Sequence, residues 1–325
     1  MDFRLTEDQR DLRAGVRELL AGRYGREALR ASLDTGTTVD RGLWRELGDA
    51  GFFALRLPEA EGGVGLGLPE AVLVFEEAGR ALVPGPLVAT HLAAGTVPGA
   101  AEGSAVVTAY DLADGLVAHL AESDAVLGAD SGTPPPTGTA TASVDPLTPL
   151  HRVAAAGVAG AAGVEGAAGT APAPVYRREG ALLTAALQLG SALRTVELAV
   201  AYAGEREQFG QPIGAFQAVK HLCAQMLVRA EVARTAVYAA AVTGVPAETA
   251  AAKLLADEAA VRNARDCLQV HGGMGFTWEA DVHLHLKRAW VRAEQWCTAA
   301  ECEELLAADL LAAELLTEDP PAADT

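Results

Sequence analysis

The sequence predicts a mainly α protein with an N-terminal helical domain, a small, reduced middle β-domain and a C-terminal four-helix bundle. Apolar residues recur at helical spacing through the first hundred residues and again from Gly180 to Leu316. Between these stretches, residues 131–176 contain seven of the sixteen prolines, seven glycines and only three charged residues. This composition is typical of loops with short strands at best. We therefore place the domains at 1–97, 98–179 and 180–316.

Start and stop signals predict three helices in the N-terminal domain. Thr6 and Gln9 have the spacing of a capping box, and an apolar helical face follows them. A second helix contains residues 43–47 and ends near Gly51. A third begins at Pro69, because proline is favoured in the first turn of a helix.

The middle domain and the bundle are predicted from short strand-like runs and long helical ones. Strands are expected in three apolar runs, at 105–110, 116–120 and 125–127. Helices of the bundle are expected at four places, near 180–204, 215–242, 246–270 and 294–316. Residues 317–325 are acidic and contain proline, so we expect a disordered tail there.

The charge balance limits the kinds of partner. The 325 residues include 25 basic and 43 acidic side chains, a net charge of −18. Nucleic acid would be repelled, and the sequence contains no basic stripe to bind it. The N-terminus lacks a signal-peptide pattern, and the apolar run Val153–Val164 is too short and too rich in glycine to span a membrane. We therefore expect a cytoplasmic protein with no membrane or nucleic-acid partner.

The cysteines predict reduced thiols and no metal site. All four lie in helix-like sequence without a C-x-x-C pair, at Cys223, Cys267, Cys297 and Cys302. His271 and His283 are not at metal-ligand spacing with them. We expect these thiols to be buried and to pack as small apolar side chains.

The segment from Arg206 to Gln217 puts polar groups where one long helical pattern gives way to another. The guanidinium of Arg206 suits a bidentate contact with phosphate, but it could equally bind helix carbonyls or pair with a neighbouring glutamate. Phe209 and Phe216 are expected in the core. Gln217, at a helix start, either caps the helix or reaches a ligand.

A second junction contains the glycine pair Gly272–Gly273. Because the pair ends a predicted helix, it can serve as a left-handed C-cap. It can also let a cofactor approach the bare backbone. The residues alone leave both roles open.

These segments resemble the acyl-CoA dehydrogenase family of flavoproteins, and the likeness covers most of the chain. The chain opens with MDFRLTEDQ, which is similar to the start of the family's N-terminal domain. The two junctions read REQFGQPIGAFQ and QVHGGMG, which match the family motifs R-x-x-FG-x-P-I-x-x-FQ and Q-x-x-GG-x-G in order.

The resemblance implies an FAD cofactor contacted across a subunit interface. It assigns seven residues to FAD: Arg206, Gln208, Phe209, Gln217, Gln269, Gly272 and Gly273. The stretch from His271 to Ala289 is similar to a bacterial branch that acts on bulky CoA thioesters, including sterol side chains. The resemblance thus implies a role in lipid or steroid catabolism.

The catalytic base of the family is missing from its commonest position. In the family reaction a glutamate removes the α-proton of an acyl thioester while the β-hydrogen leaves as hydride to flavin. That glutamate belongs to an E-G-T segment, and counting from Gly272 places the segment at Trp296-Cys297-Thr298. The resemblance adds Thr298 to the FAD contacts, but tryptophan stands where the base would be.

Some members carry the base instead on the helix before the arginine motif, and counting back from Arg206 reaches Gly180. Glu179 precedes it, but adjacent helical positions point about 100° apart. An acid near a helix N-terminus is also favoured by the helix dipole. Glu294 and Glu301 are expected on a solvated helix face. The catalytic residue is therefore unknown from the sequence.

The middle domain is also short for the family, with no tryptophan between Trp44 and Trp278. Both departures favour a subunit of a heterotetramer in which a homologous acyl-CoA dehydrogenase subunit supplies the base. The expected further partners are acyl-CoA and an electron-transfer flavoprotein. One alternative is a self-sufficient homo-oligomer that oxidises acyl-CoA or a carrier-bound acyl group with Glu179 as base. The other is a flavin-free structural subunit.

Overall fold

The computed structural model describes residues 4–36, 38–129, 133–154 and 174–317. Five helices precede residue 100: α1 Glu7–Arg23, α2 Arg26–Thr35, α3 Arg41–Asp49, α4 Leu68–Arg80 and α5 Leu87–Ala93. Five more follow the middle domain: α6 Pro174–Glu205, α7 Gln217–Thr243, α8 Pro246–His271, α9 Val282–Ala293 and α10 Ala299–Thr317. The mainly α fold predicted from the sequence is confirmed.

The N-terminal helices begin where their capping residues predict. The hydroxyl of Thr6 accepts the backbone N–H of Gln9 at 3.2 Å, and the Gln9 side chain accepts the Thr6 N–H at 3.0 Å. This reciprocal pair confirms the capping box. Pro69 lies in the first turn of α4, as expected. The short helices α2 and α5 were not predicted.

The described part of the middle domain contains five short strands. They are β1 Val107–Thr108, β2 Leu116–Ala118, β3 Ala125–Val126, β4 Gly138–Thr141 and β5 Leu150–Val153. Strands β1 and β3 pair in parallel, whereas β5 lies between β2 and β4 in an antiparallel sheet. The three predicted strands are confirmed, and β4 and β5 occur in the proline-rich and glycine-rich segment. Residues 131–132 and 155–173 of that segment lie outside the described residues, as do residues 318–325 of the predicted tail over 317–325.

In the bundle, the sequence correctly predicts the three long helices but is wrong about the fourth. The predicted helix over 294–316 begins only at Ala299, and a separate helix, α9, precedes it. Helix α9 reads VHLHLKRAWVRA, and nine of its twelve residues are buried on several faces. Four of the nine are histidine or arginine, so its buried positions do not read as core positions in the sequence. The domain boundaries at 97/98 and 179/180 stay predictions, although α6 already begins at Pro174.

The N-terminal domain is joined to the bundle by a close crossing of α4 and α6. A Cβ placed on Gly79 would lie 2.0 Å from the carbonyl oxygen of Leu187, and one on Gly190 would lie 1.8 Å from that of Glu76. Neither position has room for any side chain, so the two helix backbones touch. Most of the buried apolar side chains of both regions form one continuous core.

Candidate functional site

The two sequence junctions meet at one end of the bundle. Helices α6 and α8 end there and α7 begins there. The rings of Tyr202, near the end of α6, and His271, the last residue of α8, stack with centroids 4.1 Å apart. We call this region the open end and define it by the seven residues assigned to FAD: Arg206, Gln208, Phe209, Gln217, Gln269, Gly272 and Gly273.

Arg206 presents its side chain to solvent. Its backbone N–H donates to Tyr202 O at 2.8 Å, and its carbonyl accepts from Ile213 N at 2.8 Å. The guanidinium is exposed, and in the described part of the chain it has no hydrogen bond or ion pair. The alternative role, pairing with a neighbouring glutamate, is therefore not what this structure shows.

Phe209 is not in the core, so that prediction is wrong. It is 93 % exposed and occupies, with Gly210, the two-residue turn between β6 Glu207–Gln208 and β7 Gln211–Pro212. Both turn residues have positive φ, 55° and 77°, as a two-residue hairpin turn requires. This turn directs the phenyl ring away from the bundle. Its one ring contact is edge-to-face with the half-buried Phe216, at 6.1 Å.

The glycine pair leaves bare backbone at the end of α8. Gly272 has φ 59° and ψ −140°, a conformation that side chains disfavour, so glycine is needed there for the turn. Gly273 has no such constraint. A Cβ at either position would meet no atom within 4 Å, so the space above both residues is free.

The remaining residues of the open end are also exposed. Gln217 begins α7, as predicted, without capping it, and Gln269 lies on the outer surface of α8. Gln208 donates to Glu207 O at 2.7 Å. Nearby, Phe276 and Trp278 are 76 % and 61 % exposed. Exposed aromatic groups of this size beside polar ones are typical of a surface that another molecule covers.

The two positions where motif counting places the alternative bases lie in direct contact. A Cβ on Gly180, in the first part of α6, would lie 2.2 Å from Cδ2 of Trp296. The indole of Trp296 is 3 % exposed, and the backbone N–H of this residue donates to Asp111 O at 2.7 Å. We call this region, defined by Gly180, Trp296 and Thr298, the closed end.

Thr298 lies apart from the other seven assigned residues. At about 1.5 Å of rise per residue, α6 separates Gly180 from its own C-terminus by roughly 40 Å. The Thr298 hydroxyl is used as the cap of α10: it donates to Glu301 Oε2 at 3.1 Å and accepts the Glu301 N–H at 3.3 Å. Its assignment to FAD stays a prediction, and within one chain it does not join the open end.

The glutamates nearest the closed end have structural partners or point to solvent. Glu179 forms an ion pair with Arg56 of the N-terminal domain, and its side chain is 18 % exposed. Glu301 pairs with Arg177 at 2.9 Å. Glu294 is exposed at the end of α9, as expected. The geometry therefore directs Glu179 toward Arg56.

One carboxyl group at the closed end was missed by sequence reasoning. Asp111 accepts from Gln295 Nε2 at 2.7 Å through Oδ2, while its buried Oδ1 has no partner among the described residues. Burial raises the pKa of Asp111 to about 7. Its segment, D-L-A-D-G, reads as an ordinary turn, so nothing in the sequence distinguishes it.

Asp111 borders a cavity of about 40 Å³ between the middle domain and α6 and α9. Thr108, His119, Arg292 and Trp296 also line it. That volume holds little more than a water molecule. This part of the closed end therefore has no space for a flavin ring or an acyl chain.

Comparison with known proteins identifies the family. Residues 6–107 match the acyl-CoA dehydrogenase N-terminal domain, and residues 178–296 match the acyl-CoA dehydrogenase C-terminal domain. The chain belongs to the acyl-CoA dehydrogenase family. Acyl-CoA dehydrogenase IpdE2 of Mycobacterium tuberculosis is 38 % identical over 304 residues, which cover 87 % of this chain and 91 % of the relative. The protein is thus an oxidoreductase of the acyl-CoA dehydrogenase class.

Solved structures show the same fold. The ChsE4–ChsE5 complex from Mycobacterium tuberculosis superposes with a TM-score of 0.80 at 25 % identity, covering 98 % of this chain and 100 % of the other. A variant of the Tcur3481–Tcur3483 steroid ACAD gives 0.78 at 25 % identity, covering 96 % and 99 %.

FAD is the cofactor of this family, and the open end fits it. An exposed guanidinium without a protein acceptor suits the phosphates of a dinucleotide. Backbone with free space above both glycines permits close approach. Among the described residues there is no cluster of three or more metal-ligating side chains. No helix in the same set is long and apolar enough to cross a membrane.

Proposed function

We propose that this chain is the base-lacking subunit of a hetero-oligomeric acyl-CoA dehydrogenase that desaturates an acyl thioester between Cα and Cβ. It contributes FAD contacts through its open end, and a homologous partner supplies the catalytic glutamate. The contact between Gly180 and Trp296 carries the proposal.

A general base must lie within hydrogen-bond reach of the proton that it removes. At the two family positions this chain has a residue without a side chain and a buried indole, whose N–H cannot accept a proton. The indole also occupies the space in which a carboxylate from Gly180 would project. Neither position can therefore abstract the α-proton of a substrate.

The open end has the groups that would be needed to bind FAD. Arg206 would hold the phosphates of FAD, and the backbone of Gly272 and Gly273 would lie against the cofactor. Gln208, Gln217 and Gln269 would donate or accept at its polar edges. Bound FAD supplies the acceptor for the β-hydrogen. The exposed aromatic residues beside this surface support its burial against a second subunit.

The self-sufficient alternative is less well supported. Glu179 is held by Arg56, and freeing it would leave a partly buried cation without its partner.

The similar solved structures support both the proposed hetero-oligomer and the proposed class of substrate. ChsE4–ChsE5 is a complex of two named chains, and Tcur3481–Tcur3483 is a steroid ACAD. We infer a bulky acyl-CoA, such as a thioester on a steroid side chain, as substrate. An electron-transfer flavoprotein would be the electron acceptor.

The test is co-expression with a homologue that retains the glutamate of the E-G-T segment. We expect the purified complex, but not this chain alone, to bleach its flavin absorbance on addition of acyl-CoA. Replacing the partner's glutamate by glutamine should abolish the bleaching. Glu179→Gln should leave it unchanged, as should the matched control Glu197→Gln, which removes another ion-paired glutamate of α6.

Two outcomes would contradict the proposal. One is stoichiometric FAD binding and acyl-CoA oxidation by this chain alone. The other is loss of activity in the Glu179→Gln complex while the Glu197→Gln complex remains active.

A further inference from the structure

Two cysteines at the closed end lie unusually close together. Cys297 lies in the turn between α9 and α10, and Cys302 lies in the first turns of α10. Their Sγ atoms are 2.7 Å apart, and both are free thiols. The sequence predicts only isolated thiols, because their spacing, C-x-x-x-x-C, follows no common pattern. The turn between the helices is what brings them together.

We propose that Cys297 and Cys302 form a reversible disulfide and that this pair is a redox modification site whose oxidant is hydrogen peroxide. This inference does not depend on the proposed function.

The two thiols differ in access. Cys297 is 8 % exposed and lines an open groove of about 580 Å³ between the first turns of α6, α8 and α10. Cys302 is fully buried behind it. Peroxide entering through the groove therefore meets the sulfur of Cys297 first.

The hydrogen bond between the thiols gives them different reactivity. Cys302 donates its S–H to Cys297 Sγ, and this bond lowers the pKa of the Cys297 thiol while it raises that of Cys302. Since the thiolate is the nucleophile, Cys297 is the attacking residue and Cys302 the resolving one.

The chemistry balances in two steps. The Cys297 thiolate attacks peroxide, so an S–O bond forms, the O–O bond breaks, and hydroxide leaves to take up a proton as water. The Cys302 sulfur then attacks the sulfenic acid, so the S–S bond forms, the S–O bond breaks, and a second water leaves. Two thiols lose two electrons in total, and one peroxide is reduced to two waters.

The disulfide would fix the turn that carries Trp296. It would tie the residue next to the indole to α10, which already contacts α6 through Arg177 and Glu301. Arg177 also donates to the Trp296 carbonyl at 3.2 Å. Oxidation would therefore hold the indole on Gly180.

The sequence provides a direct assay. No Lys or Arg follows Arg292, so trypsin releases residues 293–325 as one peptide that contains both cysteines. Cys223 and Cys267 fall in two other peptides and serve as internal controls. The native protein is treated with peroxide, alkylated and digested. We expect peptide 293–325 to lose about 2 Da and to take up no alkyl group, and dithiothreitol to reverse the change.

Variants separate the two roles. Cys302→Ser should leave a sulfenic acid on Cys297 that a dimedone reagent traps, whereas Cys223→Ser should still form the disulfide. The proposal is overturned if peptide 293–325 keeps two alkylated thiols at peroxide doses that oxidise Cys223. It is also overturned if the loss of mass occurs only after the protein is unfolded in urea.

Discussion

The two ends of the bundle differ in whether their side chains have partners within the same chain. At the open end Arg206 has no hydrogen bond or ion pair among the described residues, Phe209 is exposed to solvent, and the space above the glycine pair is free. At the closed end Trp296, Thr298 and Glu179 all pack against or bond to other parts of the same chain. The open end thus leaves its polar groups and bare backbone free for another molecule, whereas these three side chains of the closed end have their partners within the chain. Under the proposed function, cofactor binding and proton abstraction, which the family combines, are separated in this protein.

The largest effect on stability is expected from a substitution at the closed end. Trp296→Ala should lower the free energy of unfolding by about 3–5 kcal/mol, because it removes a buried indole and leaves a cavity against Gly180. Urea unfolding of the two proteins measures the difference. The control is Trp278→Ala at the open end, where the ring is 61 % exposed and the cost should be well under half as large. Equal costs would remove the distinction between the two ends.

The next largest effect on stability should come from adding one methyl group at the closed end. Gly180→Ala should cost about 2 kcal/mol, because its Cβ would collide with the indole and force a shift in packing. Gly204→Ala, on the same helix, meets no atom within 4 Å and should stabilise the protein by about 0.5–1 kcal/mol through helix propensity. Thermal unfolding compares the two. A stabilised Gly180→Ala variant would show that Trp296 does not fill the position.

A smaller effect depends on pH. Because burial raises the pKa of Asp111 to about 7, the folded protein keeps a proton that the unfolded chain, with a pKa near 3.8, has released. This contribution is complete below about pH 4 and is lost as the pH rises through 7. Asp111→Asn should therefore stabilise the protein by about 1–2 kcal/mol at pH 8 and by almost nothing at pH 4. A gain for Asp111→Asn that is equal at both pH values would contradict the burial argument.

The smallest effect on stability should come from a substitution at the open end, which should instead weaken the binding of FAD. Arg206→Ala should alter the free energy of unfolding by less than about 0.5 kcal/mol, as expected of an exposed side chain without partners. The assembled enzyme should nevertheless lose FAD about 10- to 100-fold more readily, since a charged hydrogen bond contributes about 1.5–3 kcal/mol. FAD release on dilution, followed by fluorescence, measures the change.

Arg262→Ala is the matched control, because among the described residues this exposed arginine pairs with Glu258 alone, on its own helix. Gly273→Ala offers a second approach, since its methyl group has free space in the isolated chain but would press on a cofactor lying against the backbone. If both open-end variants retain FAD as the wild type does, the cofactor contacts lie elsewhere.

Local signals in the sequence were enough for the long helices and for the open end. The Thr6–Gln9 capping box, the long helices of the bundle and the two junction motifs depend on spacing along the chain. The structure brings seven of the eight assigned FAD residues to one end. Thr298 was placed with them by motif alone, and its separation depends on the length of α6, which a motif does not measure.

The sequence does not show which distant segments of the chain come into contact. Phe209 reads as a core residue because it is apolar, yet the hairpin turn exposes it. Helix α9 buries two histidines and two arginines, which the sequence alone does not mark as core residues. Asp111 and the Cys297–Cys302 pair acquire their chemistry only from neighbours that folding brings to them. The contact between Gly180 and Trp296 joins positions 116 residues apart, although counting from the motifs had indicated each one separately.

The bare crossing of α4 and α6 has a consequence for how the protein can be divided. Where two backbones touch without side chains between them, removing one helix exposes the bare backbone and the neighbouring apolar core of the other to water. The N-terminal helices thus pack as an inner wall of the bundle, and expressing the two regions as separate modules would break this backbone contact.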